Sequence, residues 1–171
     1  KAKGIEKVKV VFDMPGSWDD EQLRATPAVK ISAQGKGNLK HTEAFDAAKG
    51  SALRVAIEDA LATETPEDSE VMLLVSTLTK EGKEKEIGVA TVSLEADLLA
   101  KNRDLALAPI TIVDKKNNKI GELNVAVTAL AVLVSADRKV NAGGGVVGDD
   151  LEDDDDSSAP SGAPMAVAVP V

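Results

Sequence analysis

Apolar and polar positions alternate along most of the chain, and the alternation is cleanest between Glu86 and Leu133. Two Ile-Gly steps punctuate that stretch, Ile87-Gly88 and Ile120-Gly121, and each leads into a run with period two. After the first, Gly88, Ala90, Val92 and Leu94 share a face; after the second, Leu123, Val125, Val127 and Ala129 do. Successive side chains of a strand point to opposite faces, so both runs predict strands buried on one side. A Gly at the head of each suggests a tight strand entry or a close backbone approach.

The same reading extends to the rest of the chain. Val8, Val10 and Phe12 predict an opening strand that ends at the turn signal Pro15-Gly16. Val29, Ile31 and Ala33 predict a second strand, followed by a Gly35–Asn38 turn, and Leu39–Phe45 a third in which His41 and Glu43 share a face with Leu39 and Phe45. Leu53, Val55 and Ile57 read as a fourth strand, although Leu53, Ile57 and Leu61 also fit one face of a helix over residues 51–62. Residues 71–75 are apolar throughout, which predicts a central strand covered on both faces. A short helix is expected at Leu94–Ala100 with Ser93 as its N-cap, then a strand at Ile110–Val113 and a hairpin turn at Asp114–Asn118, where Asn117 and Asn118 tolerate positive φ. This pattern defines an all-β fold: an eight-stranded antiparallel β-sandwich with a short helix in one connection, spanning residues 5–135. Residues 136–171 read as a disordered acidic tail rich in Ala, Pro and Val, with its apolar end, Met165–Val171, as a segment that could add to a sheet edge.

Composition narrows the function classes. There is no Cys and only one His, His41, which removes disulfides, thiol chemistry and multi-His metal centres. The net charge of −9 is concentrated in residues 141–171, which hold seven acidic and no basic side chains, so residues 1–140 carry only −2. A nearly neutral domain lacks the basic face that nucleic-acid binding needs. No run approaches the ~18 apolar residues of a membrane span, and with no apolar signal block after Lys1 the chain reads as a cytoplasmic fragment of a longer protein. Nucleophilic catalysis needs a base grouped with the nucleophile, and His41 has no such motif around it. The acidic pairs Asp19-Asp20 and Glu58-Asp59 read as solvated neighbours, so no enzyme and no cofactor are expected.

Strand number and the Ile-Gly step after a charged loop together resemble C2 domains. In calcium-binding members that loop carries spaced aspartates, because a hard cation needs converging carboxylates. Here Ser76, Thr77 and Lys80 replace them; Glu84 and Glu86 remain among Lys80, Lys83 and Lys85, and Asp13, Asp19 and Asp20 could furnish one loop only. No calcium site is expected.

Within the C2 group, the chain resembles the C-terminal domain of the retinitis pigmentosa GTPase regulator-interacting protein and its transition-zone relative. The resemblance is carried by Met14-Pro-Gly-Ser with Asp19-Asp20-Glu21, by Glu86-Ile-Gly-Val-Ala with Val92 and Leu94, by Arg103-Asp104, and by Ile120-Gly with Leu123, Val125, Val127, Ala129-Leu130 and Leu133. It implies a calcium-independent, non-catalytic adaptor at the base of the cilium, in the transition zone or basal body, whose protein partner is the β-propeller of a ciliary GTPase regulator. From the residues themselves, Trp18 inside the acidic rim of Asp19, Asp20 and Glu21 is the candidate partner-binding site. Equally, Trp18 could fold back to cover the end of the sandwich. The alternative class is calcium-independent membrane docking through Lys30, Lys36, Lys40, His41, Lys49 and Arg54, with Glu43, Asp46, Glu58 and Asp59 interleaved against it.

Overall fold

The computed structural model describes residues 5–16, 23–63, 65–143 and 165–169. Nine strands are assigned among them: β1 (Ile5–Asp13), β2 (Arg24–Ala25), β3 (Val29–Lys30), β4 (His41–Phe45), β5 (Glu70–Thr79), β6 (Glu84–Ser93), β7 (Leu105–Val113), β8 (Lys119–Thr128) and β9 (Met165–Val169). All pairings are antiparallel, in the order β2-β1-β5-β6-β7-β8-β9-β4, with β3 also on β1. Between β6 and β7 the ladder is reduced to one rung, Val89↔Val113. The ring of Phe12 on β1 lies 6.0 Å from that of Phe45 and 5.9 Å from that of His41, both on β4 at the far end of the order. Strands remote along the ladder thus meet face to face, so the sheet doubles back over its core, as a sandwich does. That core contains Val10, Phe12, Leu73, Ala90, Val92, Leu123, Val125 and Val127.

Both Ile-Gly runs bury the faces that their alternation marks, from Gly88 to Leu94 and from Leu123 to Ala129. The second expected strand is a broken edge strand instead. β2 and β3 lie on the same side of β1, separated by Pro27, which has no N–H to give a ladder, and Thr26 bridges the gap by donating its N–H to Val10 O at 2.8 Å. Ala33 falls in the following turn, where Gly35 has a φ of 79°. Leu53, Val55 and Ile57 do not form a strand. They belong to helix α1 (Ala52–Ala62), whose N-cap Ser51 accepts from Arg54 N at 3.2 Å, and Ile57 is buried while Val55 is exposed. β5 is central and mostly covered, yet Met72 near its start is 39% exposed, so the cover on its second face is incomplete at that end.

Ser93 caps a π-helical turn at Leu94–Leu99, accepting from Ala96 N at 3.0 Å. In the β7–β8 hairpin Asn117 takes a φ of 61°, and Asp114 Oδ1 accepts from the N–H groups of Lys116 and Asn118. Residues after Thr128 leave the sheet for helix α2 (Leu130–Gly143), so neither the sandwich limit at 135 nor a tail from 136 fits residues 136–143. Asp104 starts that helix from a distance, with Oδ1 accepting from Ala129 N and Leu130 N, each at 2.8 Å. Arg54 and Glu58 join the helices. Arg54 Nε donates to Glu58 Oε1 at 2.9 Å, Arg54 Nη1 donates to Val132 O at 2.8 Å, and Lys139 Nζ donates to Glu58 Oε2. Glu58 is therefore buried and paired rather than solvated, with its carboxyl held below the usual range chiefly by the Lys139 ammonium. Finally, Met165–Val169 is a strand between β8 and β4, not tail, which raises the strand number from the expected eight to nine.

Candidate functional site: an acidic groove at one end of the sheet

β1 ends at Asp13 beside the start of β5, with Asp13 opposite Met72 in register. The chain then turns through Pro15 and Gly16, whose φ of 74° suits a residue without Cβ. Helix α1 and the 3₁₀ turn Pro66–Ser69 border this corner. Between them lies a cavity of about 440 Å³ lined by Asp13, Met14, Pro15 and Gly16, by Ala56, Asp59, Ala60 and Thr63 of the helix end, and by Glu67, Asp68, Glu70 and Met72. Its floor is apolar and its rim carries five carboxylates; no Lys, Arg or His is among the lining residues.

The carboxylates register this setting. Burial pushes Asp13 above the ordinary carboxylate range, and burial followed by the charge of Glu67 does the same to Glu70. Asp68 Oδ2 lies 3.1 Å from the Thr63 hydroxyl, which is itself 2.8 Å from Ala60 O. A concave, negatively charged site with an apolar base attracts a cationic group whose stem can lie on the floor, as Lys and Arg side chains do.

Trp18, Asp19, Asp20 and Glu21, the residues the sequence singled out, lie outside the described residues; the groove is formed in part by Asp13–Gly16, just before them. Sequence reasoning missed Asp59, Glu67, Asp68 and Glu70 because the register of β1 with β5, and the choice of helix over strand at 52–62, bring them together. The readable signal was Asp13 closing one strand and Glu70 opening another.

The opposite end of the sheet differs. Ile5 pairs with Thr79 while Asp13 pairs with Met72, so β1 separates Asp13 from the β5–β6 hairpin by eight residue steps, roughly 26 Å at the strand rise. Asp13 and the hairpin glutamates cannot share an ion. Glu84 meets Lys9 at 2.7 Å, a contact that holds its carboxyl low, and Glu86 faces Lys115 at 3.9 Å. Ser76 and Thr77 are buried in β5, with Thr77 Oγ1 donating to Lys85 O at 3.2 Å. Among the described residues no three His, Asp or Glu side chains are grouped as metal ligands.

Two of the residues proposed for a basic membrane face are engaged within the domain. Arg54 is buried between α1 and α2, and His41 Nε2 lies 3.0 Å from Glu43 Oε2 on β4. Among the described residues no helix is long and apolar enough to cross a membrane.

A mostly β antiparallel domain, capped by two helices and open at one charged groove, has the build of a β-rich interaction module. The chain belongs to the family described as retinitis pigmentosa G-protein regulator interacting C-terminal, whose model matches residues 5–138. That family is a C2-like protein-interaction domain and not a known enzyme family. Asp104, part of the Arg103-Asp104 segment that carried the resemblance, thus has a structural role as the remote cap of α2. No curated protein matches the chain in sequence.

Proposed function

We propose that this chain is a calcium-independent C2-type β-sandwich adaptor that docks a protein partner at the base of the cilium, in the transition zone or basal body, through the acidic groove at the end of β1. The observation that carries this reading is the groove: five carboxylates over an apolar floor, with no basic side chain among its lining residues. The partner class is the β-propeller of a ciliary GTPase regulator, in line with the family's description, and the contacting element is a basic segment of that propeller. Trp18 with Asp19, Asp20 and Glu21 extends the docking surface as its apolar anchor.

Calorimetry of the purified chain against the propeller tests this. Asp59→Lys with Glu67→Lys, both at exposed positions, is expected to weaken binding at least about tenfold and to flatten its salt dependence; unchanged affinity would overturn the groove reading. A basic partner group prefers ionised Asp13 and Glu70, and both are held above the usual range in the free domain. Affinity therefore rises as pH climbs through their titration and levels off once both are ionised. Trp18→Ala should reduce propeller capture while leaving the melting temperature in place; lost stability would assign Trp18 to packing. A melting temperature raised by calcium would refute calcium independence. Salt-sensitive flotation on anionic vesicles without the propeller would favour membrane docking.

A further inference from the structure

One strand of the sheet comes from outside the part of the chain that defines the family. The family match ends at residue 138, whereas β9 lies at Met165–Val169, beyond the 144–164 segment. It nonetheless occupies an interior place, pairing with β4 from His41↔Val169 to Phe45↔Met165 and with β8 from Ala126↔Ala168 to Thr128↔Ala166. Met165 and Val167 are fully buried and join the core beneath the sheet. Among the described strands β4 has no partner besides β9, so its attachment to the ladder runs through this strand.

The edges of β8 and β4 therefore define a slot for one short extended segment. Main-chain groups on both sides supply the hydrogen bonds, and two apolar sockets two residues apart receive alternate side chains. Pro164 and Pro170, which lack N–H groups, flank the strand in sequence. β9 is also short. It pairs with β8 at three positions and β4 at five, whereas β5 pairs with β1 at eight and β6 at nine.

We propose that the slot between β4 and β8 is a strand-acceptor site for a partner's extended, uncharged segment with large aliphatic side chains at alternate positions, and that Met165–Val169 is its exchangeable occupant in cis. Strand addition of this kind draws affinity from the main chain and selectivity from the alternating sockets. A covalently attached occupant competes through its effective concentration, so an outside strand gains access when the attachment is cut or the resident strand is weakened. The site is separate from the acidic groove and does not depend on it.

A specific protease site placed at residues 151–156 of the full chain tests the proposal, with a fluorescent peptide of residues 163–171 as probe. After cleavage the peptide is expected to replace the released tail and bind at least about 100-fold more tightly than to the uncut chain. A peptide carrying Asp at the position of Val167 should fail to bind. In the uncut chain, Val167→Asp should open the slot and raise probe binding with the circular dichroism spectrum of a folded β domain retained. The proposal is overturned if the cleaved, folded domain takes up no probe, if the cut tail never exchanges, or if Val167→Asp unfolds the whole domain. Size-exclusion profiles that shift to a dimer with concentration would overturn it in favour of strand exchange between two copies.

Discussion

The two Ile-Gly steps look alike in sequence and do different work in the fold. A Cβ built on Gly88 would stand 2.4 Å from Val113 O, 2.8 Å from Ile120 Cδ1 and 3.0 Å from Ile112 Cγ2, whereas on Gly121 its nearest neighbour would be Ile112 Cδ1 at 3.5 Å. Gly88 lies next to Val89, the one β6 residue that pairs with β7, where the doubled sheet passes from one run of strands to the next. Gly121 sits inside the β7–β8 ladder, opposite Ile112, where a side chain has room. The steps even touch, since Ile120 of the second covers Gly88 of the first. A shared dipeptide thus marks a close backbone approach in one place and an ordinary strand position in the other.

The largest effect is expected from Gly88→Ala. The nearest obstacle is a backbone carbonyl, which cannot rotate away, so the ladder itself must shift. A loss of about 3 kcal/mol or more follows, seen in urea melts as a lower midpoint with little change in slope. A cost below about 0.5 kcal/mol would mean that the close approach at Val113 is absent, and the contrast between the steps would collapse. Next in size is Gly88→Ala combined with Ile120→Ala. Trimming Ile120 removes the 2.8 Å neighbour and leaves the 2.4 Å carbonyl, so the pair should recover less than half of the loss. Full recovery would show that the side chain, not the backbone, sets the requirement for glycine.

Much of this frame was legible in the chain because one-sided burial writes itself as period two. The runs Gly88–Leu94 and Leu123–Ala129, the opening strand through Phe12, the Ser93 cap and the Asn117 turn each depend on neighbours a few residues away. What was not legible depends on distant partners. Residues 53–57 satisfy strand and helix periodicity alike, and the Ser51 cap with the Arg54–Glu58 pair decides for helix only once α2 supplies the Val132 carbonyl and Lys139. Leu130, Val132 and Val134 alternate as a strand would, yet Val132, Leu133 and Ala136 are the buried ones, and the helix start is fixed by Asp104. The groove was invisible for the same reason. Its carboxylates come from positions 13, 59, 67, 68 and 70, and Met72, expected under cover, is 39% exposed. The tail's apolar end marked Met165–Val171 as a segment that could add to a sheet edge, but not that it fits between β8 and β4, because the local pattern leaves their pairing unspecified.

Ile120→Ala alone should cost about 1 kcal/mol or less, because the side chain is 44% exposed and loses only part of the burial that a core isoleucine would. Its value lies in the cycle it completes. Together with the two Gly88 variants it yields the coupling between positions 88 and 120, and contact between the steps requires that the cost of the double variant fall below the sum of the single costs by more than about 0.5 kcal/mol. Additive costs would mean that the two steps are independent.

The smallest effect is expected from Gly121→Ala. Its Cβ would make an ordinary van der Waals contact with Ile112 Cδ1 at 3.5 Å, and its φ is outside the positive range that strains other residues. Removing a glycine also lowers the conformational entropy of the unfolded chain, which favours the folded state by about 0.4–1 kcal/mol where the native backbone accepts a side chain. These terms predict a midpoint at or slightly above that of the parent protein, measured under the same conditions as Gly88→Ala. A loss comparable to that at Gly88 would show that both Ile-Gly steps mark close approaches, and the dipeptide would then be a direct sequence signal for one. A neutral or stabilising result leaves the distinction with the partner strand: Gly88 is required by what faces it across the ladder, and nothing of that kind faces Gly121.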